Sequence, residues 1–329
     1  MKKFEIVGIG NAIVDVISTC DDSFLDLMGI EKGIMQLVEK ERGETLYAAM
    51  ETRTQTPGGA VANTIAGIGA LGLKTGFVGK VRNDALGQFY AKSMNDTGIE
   101  FLNPPMDGSD VPTSRSMIFV TPDGERSMNT YLGISAELGS EDVQDEFGSA
   151  AKNVFLEGYL FDKDKGKEAF KRLSRSCRAG GGQAGIAISD PFCVERHRDD
   201  FFDLITNELD YVIGNEAEVQ SLYQTEDTDA ALAQLSEICP LVVCTRSGDG
   251  VSAIQNGHRV DVNVETIVPV DATGAGDQFA AGFLYGILTD RDLETACRMG
   301  CISAGEVIRH VGPRPEANVF DMFKAEGLV

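Results

Sequence analysis

Tryptophan is absent from the chain, and histidine occurs three times in 329 residues. The histidines (His197, His258, His310) lie far from any ligand-spaced partner, and the seven cysteines contain no CxxC pair, which argues against structural zinc. Cys297 and Cys301 share a helical face, a spacing that two small core residues explain better than a metal does. Odd in number and scattered, the cysteines give no disulfide framework, and reduced thiols in a cytoplasmic protein are expected. Basic residues are also scarce: 29 Lys and Arg stand against 51 acids, a net charge of −22. That balance argues against nucleic acid or an anionic membrane as partner. It leaves room for a nucleotide, because an anion site needs only local N–H groups and one or two cations. No apolar run reaches 18 residues, so no membrane span is expected. Glu5, Asn11 and Asp15 interrupt the N-terminal apolar run, and no small-residue cleavage pattern follows, which speaks against a signal peptide.

Several nucleotide signatures are missing too. Gly8-Ile9-Gly10 follows a strand-like run, but Ile13 stands where the dinucleotide fingerprint needs glycine. There is no GxxxxGK[ST] loop. His197-Arg198-Asp199 lacks the downstream Asn and DFG of a protein kinase, and is expected to be a charged helix start.

What is present is an alternation of short β-rich runs and longer helical stretches, the pattern of parallel βαβ units. Strands are expected at Phe4–Ile9, Thr75–Val81, Asn153–Leu156, Gly185–Ser189, Tyr211–Gly214 and Leu241–Thr245, and helices at Ala60–Leu71, Lys165–Cys177 and Thr228–Ile238. Shorter mixed segments break the rhythm. The expected organisation is one α/β core (1–15, 51–100 and 131–329) with β-rich excursions at 16–50 and 101–130 forming a lid.

The most informative segment is Pro269–Phe283, PVDATGAGDQFAAGF. Gly274-Ala275-Gly276 is a turn that runs into an amphipathic helix, and free N–H groups at a helix start favour an anion. Asp277 would repel that anion unless its task is to take a proton from an attacking hydroxyl, the logic of phosphoryl transfer. A tight connection with an Asp near the N-cap is the bland alternative. A second glycine turn, Pro57-Gly58-Gly59-Ala60-Val61-Ala62-Asn63, lets backbone approach a ligand and offers Asn63 one helical turn later. Asn11 and Asp15 are polar residues in an apolar stretch, for which a polyhydroxyl ligand would supply partners. Asn215-Glu216-Ala217-Glu218 follows a strand, where open α/β sheets bind ligands, and suits magnesium held through water. Thr245-Arg246-Ser247-Gly248-Asp249-Gly250 is a further strand-to-turn motif.

Taken in this order, from about Gly8 to Gly312, the motifs resemble the ribokinase-like (PfkB) family of sugar and nucleoside kinases. The resemblance implies a three-layer α/β core with a mostly parallel sheet and a small β lid. It assigns Asp277 as general base, Gly274, Ala275 and Gly276 as the anion hole, and Asn215 and Glu218 as organisers of Mg²⁺ and phosphates. Thr245, Ser247, Gly248 and Gly250 would lie beside ATP, and Asp271 and Thr273 would help hold a monovalent cation such as K⁺. Within the family, the Asn11–Asp15 spacing and PGGAVAN resemble adenosine kinases, where Asn11, Asp15, Gly58, Gly59 and Asn63 would bind the ribose. Gly124-Glu125-Arg126-Ser127 is similar to a lid-hinge stretch of those enzymes in which the Arg stabilises transferred charge; a surface position after the turn is the alternative. Either Tyr159 or Phe161 of EGYLFD would face the base, and Ala60 replaces a frequent Ser. The implied activity is ATP-dependent phosphorylation of a ribonucleoside 5′-hydroxyl by a monomer or homodimer. A free-sugar kinase and a non-catalytic ligand-binding protein are the alternatives.

Overall fold

The computed structural model describes residues 2–329. Its strands are β1 (Phe4–Ile9), β2 (Ile13–Thr19), β3 (Met35–Leu37), β4 (Thr54–Gly58), β5 (Thr75–Val78), β6 (Ile99–Phe101), β7 (Ser114–Val120) and β8 (Arg126–Tyr131), followed by β9 (Ala151–Glu157), β10 (Gln183–Ala187), β11 (Tyr211–Asn215), β12 (Leu241–Thr245), β13 (Val251–Gln255) and β14 (His258–Val262). They form two sheets, a large one in the order β14-β13-β12-β11-β10-β9-β1-β5-β6 and a small one in the order β3-β8-β7-β2-β4. The large sheet is parallel from β12 to β6 and turns antiparallel only at β12–β13–β14. This is the ribokinase-like α/β architecture, with the small sheet as its lid.

Both faces of the large sheet are covered, so its strands read as nearly continuous apolar runs. Val7, Ile9, Val154 and Leu156 pack toward the helices Asp164–Ala179, Pro191–Glu208 and Thr228–Ile238. Ile6, Phe77, Phe155 and Ile213 face the opposite layer, where Ala60–Ala70 and Ala275–Leu288 lie. Cys297 is fully buried in that second core and Cys301 packs against it, as their helical spacing implied.

β2 differs from these strands. Its burial alternates with period two, Val14 and Val16 inward and Ile13, Asp15 and Ile17 less buried, as a strand with one covered face requires. The small sheet therefore takes in Ile13–Asp15 on one side and extends to Gly58 and Tyr131 on the others, beyond the excursions expected at 16–50 and 101–130. His197-Arg198-Asp199 does stand at a helix start, that of the second of two helices joined across a kink. Together they span Pro191–Glu208, where His197 breaks the helical dihedrals (φ −127°, ψ 26°) and kinks the axis; Asp190 supplies the N-cap of the first.

Strand order reverses at β1, with β5 and β6 to one side and β9 to β12 to the other. Open α/β sheets bind ligands outside the carboxyl ends of the strands at such a switch point. Asn11 follows β1 and Glu157 ends β9, so both stand there.

Candidate active site

Gly274 opens the helix Ala275–Leu288 at φ +80°, and a β-carbon there would lie 2.5 Å from Pro313 Cα. Only glycine satisfies both conditions. Nothing lies within 4 Å of the β-carbon position of Gly276, which is exposed. Ala275 differs from its neighbours: its N–H is bonded to the Ala272 carbonyl at 3.2 Å. Of the three N–H groups expected to receive an anion, that of Ala275 is therefore engaged by protein in this conformation.

Asp277 sits in the first turn of this helix and accepts a hydrogen bond from Asn63 Nδ2 at 3.1 Å. Burial pushes its pKa up to about 7; Glu157 and Asp15 add to the rise, while Asn63 and Arg314 oppose it. A carboxylate tuned to neutrality can accept a proton and release it again. Asp15, on β2, is raised to about 6 by burial, with Arg126 and Arg314 pulling the other way. Gly58 makes room for it, since a β-carbon at Gly58 would stand 2.5 Å from Asp15 Oδ2. Gly59, at φ +105°, passes so close to the Asn11 carbonyl that a β-carbon would be 2.2 Å from it.

Asn11 already has a protein partner at each end of its amide. Its Nδ2 donates to Glu157 Oε1 at 2.7 Å, and its Oδ1 accepts from Ser135 Oγ at 2.7 Å. Each end thereby makes one of its two possible hydrogen bonds, so Asn11 holds the wall of the site and keeps one donor and one acceptor position besides. Glu157, 1% exposed, was missed from sequence. It accepts from Asn11 N at 3.1 Å and from Val61 N at 3.0 Å, so it caps the helix Ala60–Ala70 that carries Asn63. Burial raises its pKa, against those donors. The signal was a lone acid ending the apolar run VFLE. Arg314 was missed as well, and nothing in GPRPE sets it apart.

Arg126 pairs with Asp271 at 2.7 Å. The Asp271 carboxylate also accepts from Thr273 N and Gly312 N, both at 2.9 Å. Burial favours its neutral form, yet these donors hold its pKa below the ordinary value. Asp271 is thus engaged by a guanidinium and two backbone donors, one of them the Thr273 N–H.

Asn215 and Glu218 close a reciprocal capping box on the helix Glu216–Tyr223. Asn215 Nδ2 donates to Glu218 Oε1 at 2.6 Å, and Asn215 N to Oε2 at 3.0 Å. Burial lifts Glu218 to about 7. Both of its oxygens are engaged, so the pair fits magnesium only through intervening water. Among the described residues, no cluster of three His, Cys, Asp or Glu could hold a metal ion directly.

A cleft of about 140 Å³ joins these parts: Asp277, Gly276, Thr64, Tyr159, Asn215, Glu218 and Thr245 all line it. Ser247 and Gly248 stand exposed on the turn beyond it, while Gly250 is buried at φ +92° against the Val262 carbonyl. Phe161 is no candidate for contact with a base. It is 1% exposed and stacks on Phe201 with ring centroids 4.1 Å apart, which leaves Tyr159 as the aromatic side chain of that segment lining the cleft.

A mostly parallel α/β core with a small β-sheet lid, and a glycine-rich helix start beside its cleft, is the architecture of phosphotransferases with an alcohol group as acceptor. The chain belongs to the pfkB family of carbohydrate kinases, whose description matches residues 25–318. It is an ATP-dependent carbohydrate or nucleoside kinase. Two solved structures are similar at 42% identity. One is a probable sugar kinase from Rhizobium etli (TM-score 0.90, 100% of both chains covered), the other an adenosine kinase from Sinorhizobium meliloti (TM-score 0.89, 98% of this chain and 99% of that one). A 5-dehydro-2-deoxygluconokinase of Geobacillus kaustophilus is 26% identical over 297 residues, 86% of this chain and 88% of the relative. No helix among the described residues is long and apolar enough to cross a membrane.

Proposed function

We propose that the chain transfers the terminal phosphoryl group of ATP to the 5′-hydroxyl of a ribonucleoside, with adenosine as acceptor. The observation that carries this reading is the single cleft shared by Asp277, Gly276, the Asn215–Glu218 cap and Thr245. Base, anion site and nucleotide-side residues there border one space. The likeness to the Sinorhizobium meliloti adenosine kinase over nearly the whole of both chains supports the choice of acceptor.

In this mechanism Asp15 and Asn63 hold ribose hydroxyls, Asp15 accepting and Asn63 donating. Asp277 takes the 5′-hydroxyl proton as the oxygen attacks phosphorus, and the bond to the ADP oxygen breaks. The N–H groups of Gly274 and Gly276 stabilise charge on the moving group. Magnesium arriving with ATP would neutralise phosphate charge, oriented through water by Asn215 and Glu218. Arg126 balances charge from the lid side, and Tyr159 lies against the base. Covering the site excludes water as a competing acceptor.

The curated relative's name, a sugar-acid kinase, keeps a free sugar or sugar acid as the second reading. An acceptor panel under one ATP concentration separates the two. A pocket built for a base leaves contacts unmade with ribose, so kcat/KM for adenosine should exceed that for ribose by about tenfold or more, roughly 1.4 kcal/mol. Preference for ribose, fructose or a sugar acid would replace the nucleoside reading and leave the transfer chemistry standing. Absence of acceptor-dependent ADP formation would favour a non-catalytic binding protein.

A further inference from the structure

Arg314 stands in the segment between the helices Leu293–Val307 and Val319–Ala325, remote in sequence from the motifs above. Its Nε donates to Asn63 Oδ1 at 3.2 Å and its Nη2 to the Pro57 carbonyl at 2.8 Å. A guanidinium carries donors only, so the Asn63 atom facing it must be the amide oxygen. The NH₂ end of Asn63 is then directed at Asp277 Oδ2, 3.1 Å away. With the amide reversed, two donors would meet at Arg314 and two acceptors at the ionised Asp277. Gln278 reinforces the arrangement by donating to the carbonyls of both Asn63 (3.2 Å) and Pro313 (3.0 Å), which ties the two backbones together.

We propose that Arg314 is a positioning residue for phosphoryl transfer, fixing the Asn63 amide so that it donates to Asp277 and pinning the Pro57–Gly59 turn beside Asp15. The inference rests on the reading of Asp277 as general base. Charged and titratable groups face Asp277 from several elements. Asp15 on β2 and Glu157 on β9 favour its protonated form, whereas Arg314 and the Asn63 donor favour the ionised form. Tyr159, after β9, feels the charge of Asp277, and Tyr90 lies with Asp15 and Asp277 around Arg314. Removing Arg314 deletes a cation and frees the amide together, and both changes hinder ionisation of the base.

The test uses the full chain with the acceptor that the panel selects. Arg314→Met, Arg314→Lys, Asn63→Leu and the double variant Arg314→Met/Asn63→Leu are compared in kcat, KM and the pH profile of kcat/KM. Arg314→Met should move the acid limb upward by about half a pH unit or more and lower kcat at pH 7 by about tenfold, with KM for ATP little changed. Arg314→Lys restores the charge but cannot reach Asn63 and Pro57 in the same fork, so the limb should return toward the wild-type position while kcat stays reduced. In the Asn63→Leu background, Arg314→Met should lower kcat much less than it does alone, because the amide route to Asp277 is already gone and only the effect of the charge on the acid limb remains. A folded Arg314→Met with an unmoved acid limb, or effects on kcat that simply multiply in the double variant, would overturn the proposal. If Arg314→Met does not fold, Arg314→Lys and Asn63→Leu carry the same comparison. Asp277→Asn at wild-type turnover would instead overturn the general-base reading beneath it.

Discussion

Arg126 Nη1 and Asp271 Oδ2 meet at 2.7 Å with both side chains more than nine-tenths buried, joining the lid to the turn that leads into the anion site. Arg126 Nε and Nη2 are buried without a hydrogen-bond partner, so its charge is balanced through Asp271. Removing one partner of such a pair leaves an uncompensated buried charge. Asp271→Asn is expected to lower stability by about 3–5 kcal/mol in urea denaturation. The double variant Asp271→Asn/Arg126→Met should be less destabilised than Asp271→Asn alone. A loss below about 1 kcal/mol would mean that the pair is effectively solvated.

Asp277→Asn should retain the fold and ATP binding and lower kcat by roughly 10²-fold or more, the scale of a lost general base. The base works ionised, and burial has raised its pKa to about 7. Wild-type kcat/KM should therefore fall as pH drops through about 7 and level off above it. A flat profile between pH 6 and 8 would remove Asp277 from the rate-limiting proton transfer.

Asp15→Ala should weaken acceptor binding by about ten- to a hundredfold, since a carboxylate accepting hydroxyl hydrogen bonds contributes roughly 1.5–3 kcal/mol. KM for ATP should hardly change. Asp15 also helps to keep the pKa of Asp277 high, so the acid limb should move to lower pH in this variant. Opposite displacements in Asp15→Ala and Arg314→Met form one pattern, readable from two pH profiles.

Glu218→Gln should shift the magnesium dependence of turnover to higher concentration, because a neutral amide is a poorer partner for a hydrated divalent ion. The cap itself should survive in part, since Asn215 Oδ1 still accepts from the position-218 N–H, at 2.9 Å in the parent chain. An unchanged magnesium titration beside lowered thermal stability would reduce Glu218 to its capping task.

The parallel strands were legible because they are buried on both faces: β1 and β12 begin and end where their apolar runs do. The lid was less so. The alternation in IVDVIST marks β2 as starting at Ile13, but a single polar residue among its first five is a weak boundary beside an apolar stretch. Asp277, Asn63 and the Asn215–Glu218 pair announced themselves through glycine turns and strand ends. Arg314 gave no local signal, because its partners are 251 and 257 positions away and its meaning lies wholly in tertiary contacts. Asn11, by contrast, stands out in the sequence as a polar residue in an apolar stretch, and two of its amide hydrogen bonds go to protein.

Only Gly10, Asn11 and Ala12 separate β1, in the large sheet, from β2, in the small one. Gly59 alone separates β4 from the core helix Ala60–Ala70, so Asp15, in the small sheet, and Asp277, in the first turn of the helix Ala275–Leu288, are tied together through two short connections. On the proposed reading of Asp15 as sugar ligand and Asp277 as base, a rotation between the sheets would change the span between the two carboxylates and with it the reach of an acceptor hydroxyl toward its base. Fidelity toward the acceptor would then be a matter of angle as much as of contact: a molecule that fills the lid without drawing the two sheets into register would be held but not phosphorylated.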